Sequence, residues 1–243
     1  MLHTLCGRHA VLAALHHRGD RVERLYFAKA QHDAVRPFLR GLAQRRVPFR
    51  ELPDDELDRV AHSRAHQGLV AVLPLPETPL TTAVLWQAWA KAPGPLLALD
   101  GVGNPHNLGA IARTAAFLGV RDLVLAEEGA ASIRSTAAYR TAEGGLESLA
   151  VWRSSDLARD LGLLQAAGGL AVALAVGGTL DLATLRQRGP RGLVLVAGAE
   201  EDGLRPAVAQ ACRAAVRIEG TDAVQSLNVG VAVGMALSWL VTR

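Results

Sequence analysis

Six short aliphatic runs recur along the last two thirds of the chain, each bounded by glycine or charged residues. They occupy residues 96–99, 123–126, 149–152, 170–176, 193–197 and 214–218. Segments with helical periodicity separate most of them. Continuous apolar strands that alternate with helices are typical of a parallel sheet covered on both faces. The pattern therefore predicts an α/β fold, with a parallel-sheet domain over residues 95–243.

The first 75 residues predict a smaller α/β unit. Helical patterns near residues 8–17, 34–45 and 54–61 alternate with strand patterns at 22–28, 47–52 and 69–73. A proline-rich stretch follows them. We therefore predict a first domain at 1–75, a linker at 76–94 and a second domain at 95–243.

The two predicted domains differ in charge. Residues 1–80 contain 12 basic and 9 acidic side chains, whereas residues 81–243 contain 14 of each. All but two of the basic residues are arginine, which suits bidentate contacts with phosphate. A general bias toward arginine in the coding sequence explains this count equally well. The charge excess of the first domain is therefore only a weak indication that it binds nucleic acid, and the sequence does not identify the residues that would contact it.

Composition excludes several classes of protein. With 50% hydrophobic and 20% charged residues among 243, the chain is neither disordered nor fibrous. Its longest apolar stretches, such as 229–240, are shorter than the ~20 residues that a membrane span needs. The first residues lack a charged leader followed by an apolar core, and Cys6 and Cys212 fit no metal-ligand spacing. We expect a cytoplasmic protein that binds neither membrane nor metal.

The loop after the run at 96–99 is the first candidate site, because ligands of open parallel sheets bind beyond the carboxyl ends of strands. After Gly101 and Gly103, His106 stands where a dinucleotide fingerprint has its third glycine, which disfavours a nicotinamide dehydrogenase. Asn107 precedes an apolar helical stripe, and the local pattern alone favours an N-cap. Arg113 lies opposite that stripe, either solvated or placed to bind a phosphate or an oxyanion.

Two later loops are also candidates. The first runs from Gly198 to Leu204 and carries three consecutive acids, for which an acidic turn is the commoner explanation. The second leads into an apolar helix, and its Ser226 or Asn228 is explained equally well as a helix cap.

The combination and order of these three loops resemble the three motifs of the SpoU (TrmH) branch of the SPOUT RNA methyltransferases. The first motif matches at Asn107, Gly109, Arg113, Thr114 and Ala115, the second at Gly198, Glu200, Gly203 and Leu204, and the third at Ser226, Leu227, Asn228 and Val229. The resemblance spans roughly residues 95–243.

A second resemblance covers the N-terminal part. Residues 7–11 and 66–71 look like the opening and closing segments of the ribosomal-protein-L30e-like RNA-binding domain that often precedes this catalytic domain. Residues 140–145 are similar to a segment of an incompletely characterised subgroup of tRNA and rRNA methyltransferases. Together the two resemblances imply an RNA substrate, either tRNA or rRNA.

The resemblance to the SpoU family implies a C-terminal trefoil knot, S-adenosylmethionine as cofactor, a homodimer, and methyl transfer to a ribose 2′-hydroxyl. It implies a cofactor pocket lined by Gly198, Ile218 and Leu227. It also implies a catalytic constellation formed by Asn107, Arg113, Glu200, Ser226 and Asn228. Within it, we expect Glu200 to orient Arg113 or a neighbouring backbone group, and Arg113 to act through its charge because a guanidinium is almost never neutral.

One departure from the family pattern leaves an alternative open. The family commonly has Ile-Pro-Met at the start of the third motif, whereas this chain has Ile218-Glu219-Gly220. The change puts the tightness of cofactor binding in doubt. A knotted RNA-binding or ribosome-assembly protein without catalytic activity is therefore the alternative to the methyltransferase.

The last helix carries a strip of small residues. Gly230, Gly234 and Ser238 recur every four residues, which allows another backbone to approach closely. Packing on the chain's own sheet is one explanation. We expect instead a contact with a second copy of the chain.

Overall fold

The computed structural model describes residues 2–221 and 223–241, which build two β-sheets. The smaller sheet has the order β1-β4-β2-β3, and β4 runs antiparallel to both of its neighbours. Its strands are β1 (Leu2–Cys6), β2 (Arg24–Phe27), β3 (Phe49–Glu51) and β4 (Leu69–Pro74). Its helices are α1 (Arg8–Arg18), α2 (His32–Gln44) and α3 (Asp54–Ala61).

The predicted alternation of the N-terminal part is confirmed, but β1 was missed. This strand pairs with β4 along its whole length, from Leu2 opposite Pro74 to Cys6 opposite Val70. Only its second half is fully buried, so its sequence has neither the continuous apolar run nor the strict alternation that predicts a strand.

The larger sheet has six strands, all parallel, in the order β10-β8-β9-β5-β6-β7. They are β5 (Leu96–Asp100), β6 (Asp122–Ala126), β7 (Ala150–Ser154), β8 (Leu170–Leu174), β9 (Leu193–Gly198) and β10 (Ala214–Val216). Each corresponds to one of the six aliphatic runs. The predicted parallel α/β sheet is therefore confirmed.

Helices cover both faces of the larger sheet. They are α4 (Ala83–Trp89), α5 (Pro105–Phe117), α6 (Thr136–Ala142), α7 (Gly145–Ser148), α8 (Leu157–Ala166), α9 (Leu182–Arg188), α10 (Pro206–Ala211) and α11 (Val229–Val241). Alternate side chains of β5 enter different cores. Leu97 and Leu99 join the core that contains α5 and α11, whereas Leu96 and Ala98 join the one that contains α4 and α8. This period of two is the geometry of a strand buried on both faces.

The stretch between the two sheets packs onto the larger one. Within residues 76–94, α4 is capped by the Thr82 hydroxyl, which accepts a hydrogen bond from the Leu85 N–H. Trp86 is fully buried and Trp89 nearly so, and both belong to the core shared with α8. The two tryptophans therefore anchor this stretch to one face of the larger sheet.

Residues 136–148, which we call the bracing segment, join the two sheets. They contain α6 and α7 and pack against α5 on one side and against β1 and α1 on the other. The Arg18 guanidinium donates to both carboxylate oxygens of Glu147, at 2.7 and 2.5 Å, and to the Pro74 carbonyl. The Thr136 hydroxyl donates to the Thr4 carbonyl. These contacts fix the N-terminal unit against the helical layer that carries the first motif.

None of the described helices combines the length and the apolar character that a membrane-spanning helix needs.

Candidate active site at the carboxyl edge of the larger sheet

The loop after β9 is a tight hairpin that presents three acids. Ala199 and Gly203 exchange two backbone hydrogen bonds, of 3.0 and 2.9 Å, so residues 200–202 form its tip. A Cβ atom on Gly198 would lie 2.1 Å from the carbonyl carbon of Gly203. Only glycine fits this close approach, which explains the Gly198 of the second motif.

A buried carboxylate holds the far end of this loop. Asp100, at the end of β5, is 1% exposed and accepts hydrogen bonds from the Arg205 backbone N–H at 2.9 Å and from its Nε at 2.7 Å. The Arg205 guanidinium also contacts Glu128. Its hydrogen bond to Asp100 is the main cause that raises the pKa of Arg205. Sequence reasoning missed this pair, although an acid directly after an aliphatic run was its signal.

Three predicted site residues meet in one cluster, which we call the carboxamide network. Asn107 Nδ2 donates to Glu200 Oε2 at 2.8 Å, and Asn228 Nδ2 lies 3.0 Å from Glu200 Oε1 and 3.1 Å from Asn107 Oδ1. The three side chains come from α5, from the hairpin after β9 and from the start of α11. The network therefore joins one residue of each predicted motif at one edge of the sheet.

The N-cap interpretation fails for Asn107 and holds for Asn228. The cap of α5 is Asn104, whose Oδ1 accepts from the His106 N–H at 2.9 Å. Asn107 lies in the first turn, so its carboxamide is available to Glu200. Asn228 caps α11, because its Oδ1 accepts from the Gly230 N–H at 2.9 Å, while its Nδ2 remains in the network.

The other predicted residues of the second and third motifs have different surroundings. Gly198 is buried and Ile218 is half-buried against the main core. Leu227 and Ser226 are exposed, and the Ser226 hydroxyl makes no hydrogen bond with the described residues. The loop of residues 217–221 and 223–228 is mostly exposed, so its backbone and side chains are accessible to a ligand.

Arg113 lies apart from the network. It follows Asn107 by six residues on α5, which places it about 9 Å further along the helix and about 240° around it. Its Nη2 pairs with Glu143 Oε2 at 3.0 Å. We expected Glu200 to orient Arg113 or a neighbouring backbone group. Among the described residues its carboxylate pairs with neither, because both oxygens accept from the two asparagines.

The small-residue strip of α11 packs within the chain. A Cβ atom on Gly230 would lie 3.5 Å from the Ala110 Cβ, and one on Gly234 would lie 3.2 Å from the Thr114 Cγ2. The expectation that these two glycines contact a second copy is therefore wrong. They let α11 approach α5 closely, which brings Asn228 next to Asn107.

No group of three or more His, Cys, Asp or Glu side chains within residues 2–221 and 223–241 is arranged to hold a metal ion.

Comparison with known proteins connects this geometry to a family. A family model for the SpoU rRNA methylase family matches residues 94–238, and one for RNA 2′-O ribose methyltransferase substrate binding matches residues 4–79. The chain is 36% identical to the 23S rRNA (guanosine-2′-O-)-methyltransferase RlmB of Pseudomonas aeruginosa, over 95% of this chain and 92% of that protein. The enzyme of the same name from Vibrio vulnificus is 35% identical, over 95% of this chain and 93% of that protein.

Solved structures share the fold over nearly the whole chain. An AdoMet-bound rRNA methyltransferase from Sinorhizobium meliloti superposes with a TM-score of 0.79 at 22% identity, over 98% of this chain and 86% of that one. The SpoU methyltransferase AviRb of Streptomyces viridochromogenes, in complex with AdoMet, gives 0.78 at 22% identity, over 99% and 89%. With its three motifs gathered at one sheet edge and both family models matched, the chain belongs to the SpoU rRNA methylase family.

Proposed function

We propose that this protein transfers a methyl group from S-adenosylmethionine to the ribose 2′-hydroxyl of a guanosine in 23S rRNA. The observation that carries the proposal is the carboxamide network, which joins Asn107, Glu200 and Asn228 from three distant motifs. The substrate follows the names of relatives about 35% identical over nearly the full chain.

The residues implied for the cofactor suit it chemically. Gly198 ends β9 and lies against the Gly203 backbone at the base of the hairpin, while Ile218 and Leu227 flank an exposed loop with apolar side chains. The backbone N–H groups of 218–220 donate no hydrogen bond to another described residue, so they are available to polar ligand atoms. S-adenosylmethionine, when bound, supplies an electrophilic methyl group on a positively charged sulfur. Gly198, Ile218 and Leu227 would hold it.

In this transfer a bond would form between the 2′-oxygen and the methyl carbon, the bond from that carbon to sulfur would break to leave S-adenosylhomocysteine, and the hydroxyl proton would pass to solvent. The reaction therefore needs the 2′-oxygen aligned with the methyl carbon and its developing negative charge stabilised. Positioning of this kind accounts for much of the acceleration in bimolecular transfers. Asn107 and Asn228, held by Glu200, offer fixed carboxamide groups for the ribose, and the exposed Ser226 hydroxyl adds a further donor. In this proposal Glu200 acts by orienting the two asparagines.

Arg113 contributes its permanent charge. A guanidinium stays protonated in proteins and therefore serves poorly as a base, whereas its charge binds phosphate and stabilises a developing alkoxide. The side chain is 57% exposed, so RNA can reach it. We assign Arg113 to the phosphate next to the reacting ribose.

The proposal includes a homodimer. Val231, Met235 and Trp239 form an exposed apolar stripe at four-residue spacing on α11, about 100° around the helix from the glycines that contact α5. Burying such a stripe removes apolar surface from water. Met235→Glu should convert the dimer to a monomer in light scattering, while Val84→Glu, at an exposed position of α4, should not. A dimer that survives Met235→Glu would place the interface elsewhere.

We also propose the domain division at 1–75, 76–94 and 95–243, a trefoil knot in the C-terminal part and a cytoplasmic location. The matched ranges of the two family models support the division. The insertion of β9 between β8 and β5 is compatible with a threaded chain. A cytoplasmic location follows from an rRNA substrate.

Methyl transfer into separate RNA pools tests the function. Labelled S-adenosylmethionine is incubated with 23S rRNA and with tRNA from a strain that lacks this gene, and the nucleosides are identified by mass spectrometry. We expect 2′-O-methylguanosine in 23S rRNA and a loss of about 100-fold in rate for Arg113→Ala. Label in tRNA alone would reassign the substrate. No label from a folded protein that binds RNA would favour the non-catalytic alternative.

A further inference from the structure

The ion pair between Arg113 and Glu143 involves a residue outside the three motifs. Arg113 Nη2 lies 3.0 Å from Glu143 Oε2, and the two side chains are 57% and 36% exposed. This is the only acid that pairs with Arg113 among the described residues. Glu143 belongs to the bracing segment, 30 residues further along the chain.

Glu143 holds a backbone conformation that glutamate rarely adopts. With φ 45° and ψ 42°, it lies in the left-handed region where it ends α6. Glycine would take this conformation without strain, and indeed Gly144 follows with φ 96°. Strain of this kind persists where the surrounding structure enforces it, and it concentrates at functional sites. The carboxylate is the feature that glycine at this position would lack.

Packing on both sides fixes Glu143 relative to Arg113. A Cβ atom on Gly145 would lie 2.7 Å from the Arg113 Cα, so the bracing segment touches the backbone of α5 at that residue. A Cβ atom on Gly144 would lie 2.8 Å from the Ala13 Cβ on α1. The segment therefore cannot slide along α5, and its carboxylate has a defined place beside the guanidinium.

The guanidinium keeps most of its donors for another partner. It has five N–H groups in a rigid fork, and the Glu143 contact uses one nitrogen. Arg113 and Glu143 line an open depression of about 380 Å³ with Phe117 and Ser148. A phosphate entering this depression can bind the remaining N–H groups of Arg113 while Nη2 stays paired with Glu143.

We infer that Glu143 is a positioning residue for Arg113. Its carboxylate holds one guanidinium nitrogen and directs the remaining donors toward the RNA phosphate beside the reacting ribose. This inference rests on the function proposed for Arg113. It assigns to Glu143 the orientation of Arg113, which was one of the two roles expected for Glu200.

Kinetics of Glu143 variants test the inference. For Glu143→Gln and Glu143→Gly, we expect kcat to fall about 10-fold. This loss is ten times smaller than the ~100-fold loss that a 1 Å misplacement of a reacting group causes. The RNA dissociation constant should stay the same or decrease, because a negative charge near the phosphate is lost. Glu143→Asp keeps the carboxylate and should recover part of kcat. Thermal midpoints of the Gln and Gly variants should not fall.

The matched control is Glu127→Gln. Glu127 forms a similar exposed pair with Arg153, at 2.8 Å, on the same sheet. This variant should keep wild-type kcat and RNA affinity. A fall in kcat for the control equal to that of Glu143→Gln would mean that the loss reflects net charge, and it would overturn the inference.

Three other results would overturn it. Tighter RNA binding with unchanged kcat in Glu143→Gln would make Glu143 a competitor of phosphate. Equal losses of kcat and thermal stability in the Gln, Gly and Asp variants would make its role structural. In the double variant Arg113→Ala/Glu143→Gln, a rate clearly below that of Arg113→Ala would show that Glu143 acts independently of Arg113.

Failure of the proposed function has a different signature. If the wild-type protein transfers no methyl group, the reaction itself is wrong and the positioning role falls with it. If the wild type is active and Arg113→Ala is equally active, the role of Arg113 is wrong. If Arg113→Ala is inactive while Glu143→Gln matches the wild type, only the positioning inference fails.

Discussion

Helix α5 contacts two parts of the molecule that differ in how they are built: the carboxamide network and the bracing segment. The carboxamide network comes from three segments far apart in the chain, and Glu200 and Asn228 within it are exposed. The bracing segment is continuous in sequence, and Ala138, Tyr139 and Ala142 within it are buried. The first part depends on hydrogen bonds at a solvent-filled edge, the second on close packing. Substitutions should therefore affect mainly activity in the network and mainly stability in the buried part of the bracing segment; Glu143, which is 36% exposed and pairs with Arg113, lies outside that buried part.

The largest effect should come from breaking the close packing of the bracing segment. A Cβ atom on Gly109 would lie 2.6 Å from both the Ala138 carbonyl oxygen and the Thr141 Cβ. Gly109→Val should therefore lower the free energy of unfolding by about 3 kcal/mol, measured by urea titration. Gly162→Ala is the control, because nothing lies within 4 Å of that site in α8. It should be neutral or stabilising by about 0.5–1 kcal/mol, and equal destabilisation by both variants would contradict the packing argument.

The buried ion pair of the bracing segment should rank second. Glu147 is 3% exposed and Arg18 18%, so neutralising Glu147 leaves a partly buried charge without its partner. Glu147→Gln should destabilise the protein by about 2 kcal/mol, less than a fully buried pair because Arg18 is partly exposed, and leave the kcat of the remaining folded protein nearly unchanged. Glu127→Gln, in the exposed pair with Arg153, should lower the free energy of unfolding by less than about 1 kcal/mol. A kcat loss without destabilisation would mean that this pair belongs functionally with the network.

The network should show the opposite behaviour. Glu200→Gln replaces one acceptor oxygen by an amide group that faces the Nδ2 donors of Asn107 or Asn228. We expect kcat to fall about 30-fold, or about 2 kcal/mol, with a thermal midpoint close to that of the wild type. Glu201→Gln, the next residue of the same hairpin, should keep full activity. Full turnover in Glu200→Gln would show that the reaction does not need the negative charge of Glu200.

The smallest effect concerns the pH dependence of stability at the bracing segment. Burial, and then the nearby Arg18 charge, lower the pKa of His3, whose ring packs against Tyr139. The unfolded chain therefore binds a proton more readily. The stability that neutral His3 contributes is complete above its ordinary pKa of 6.5 and is lost as the pH falls below it. His3→Phe should reduce the loss of thermal stability between pH 7.5 and 5.5, and an unchanged pH dependence would contradict this assignment.

The sequence determined the features that depend on local periodicity and on motif order. Six aliphatic runs predicted six parallel strands, because a strand buried on both faces must be continuously apolar. The apolar stripe after Asn107, formed by residues 108, 111, 115 and 118, predicted the buried face of α5. The first three residues are fully buried, whereas Leu118, at the C-cap of the helix, is half-buried. The resemblance of the three motifs to the SpoU family implied that Asn107, Glu200 and Asn228 belong to one site, and these side chains form one hydrogen-bonded cluster.

Only the tertiary structure decided which charged groups pair. Asp100 binds Arg205 across 105 residues, Arg18 binds Glu147 across 129, and Arg113 binds Glu143 rather than Glu200. A sequence pattern states which side chains are charged, but their partners depend on how helices and loops are placed in three dimensions. The strip of Gly230 and Gly234 illustrates the same limit. Small residues predict a close approach, but only the fold determines that the approaching backbone is α5 of the same chain.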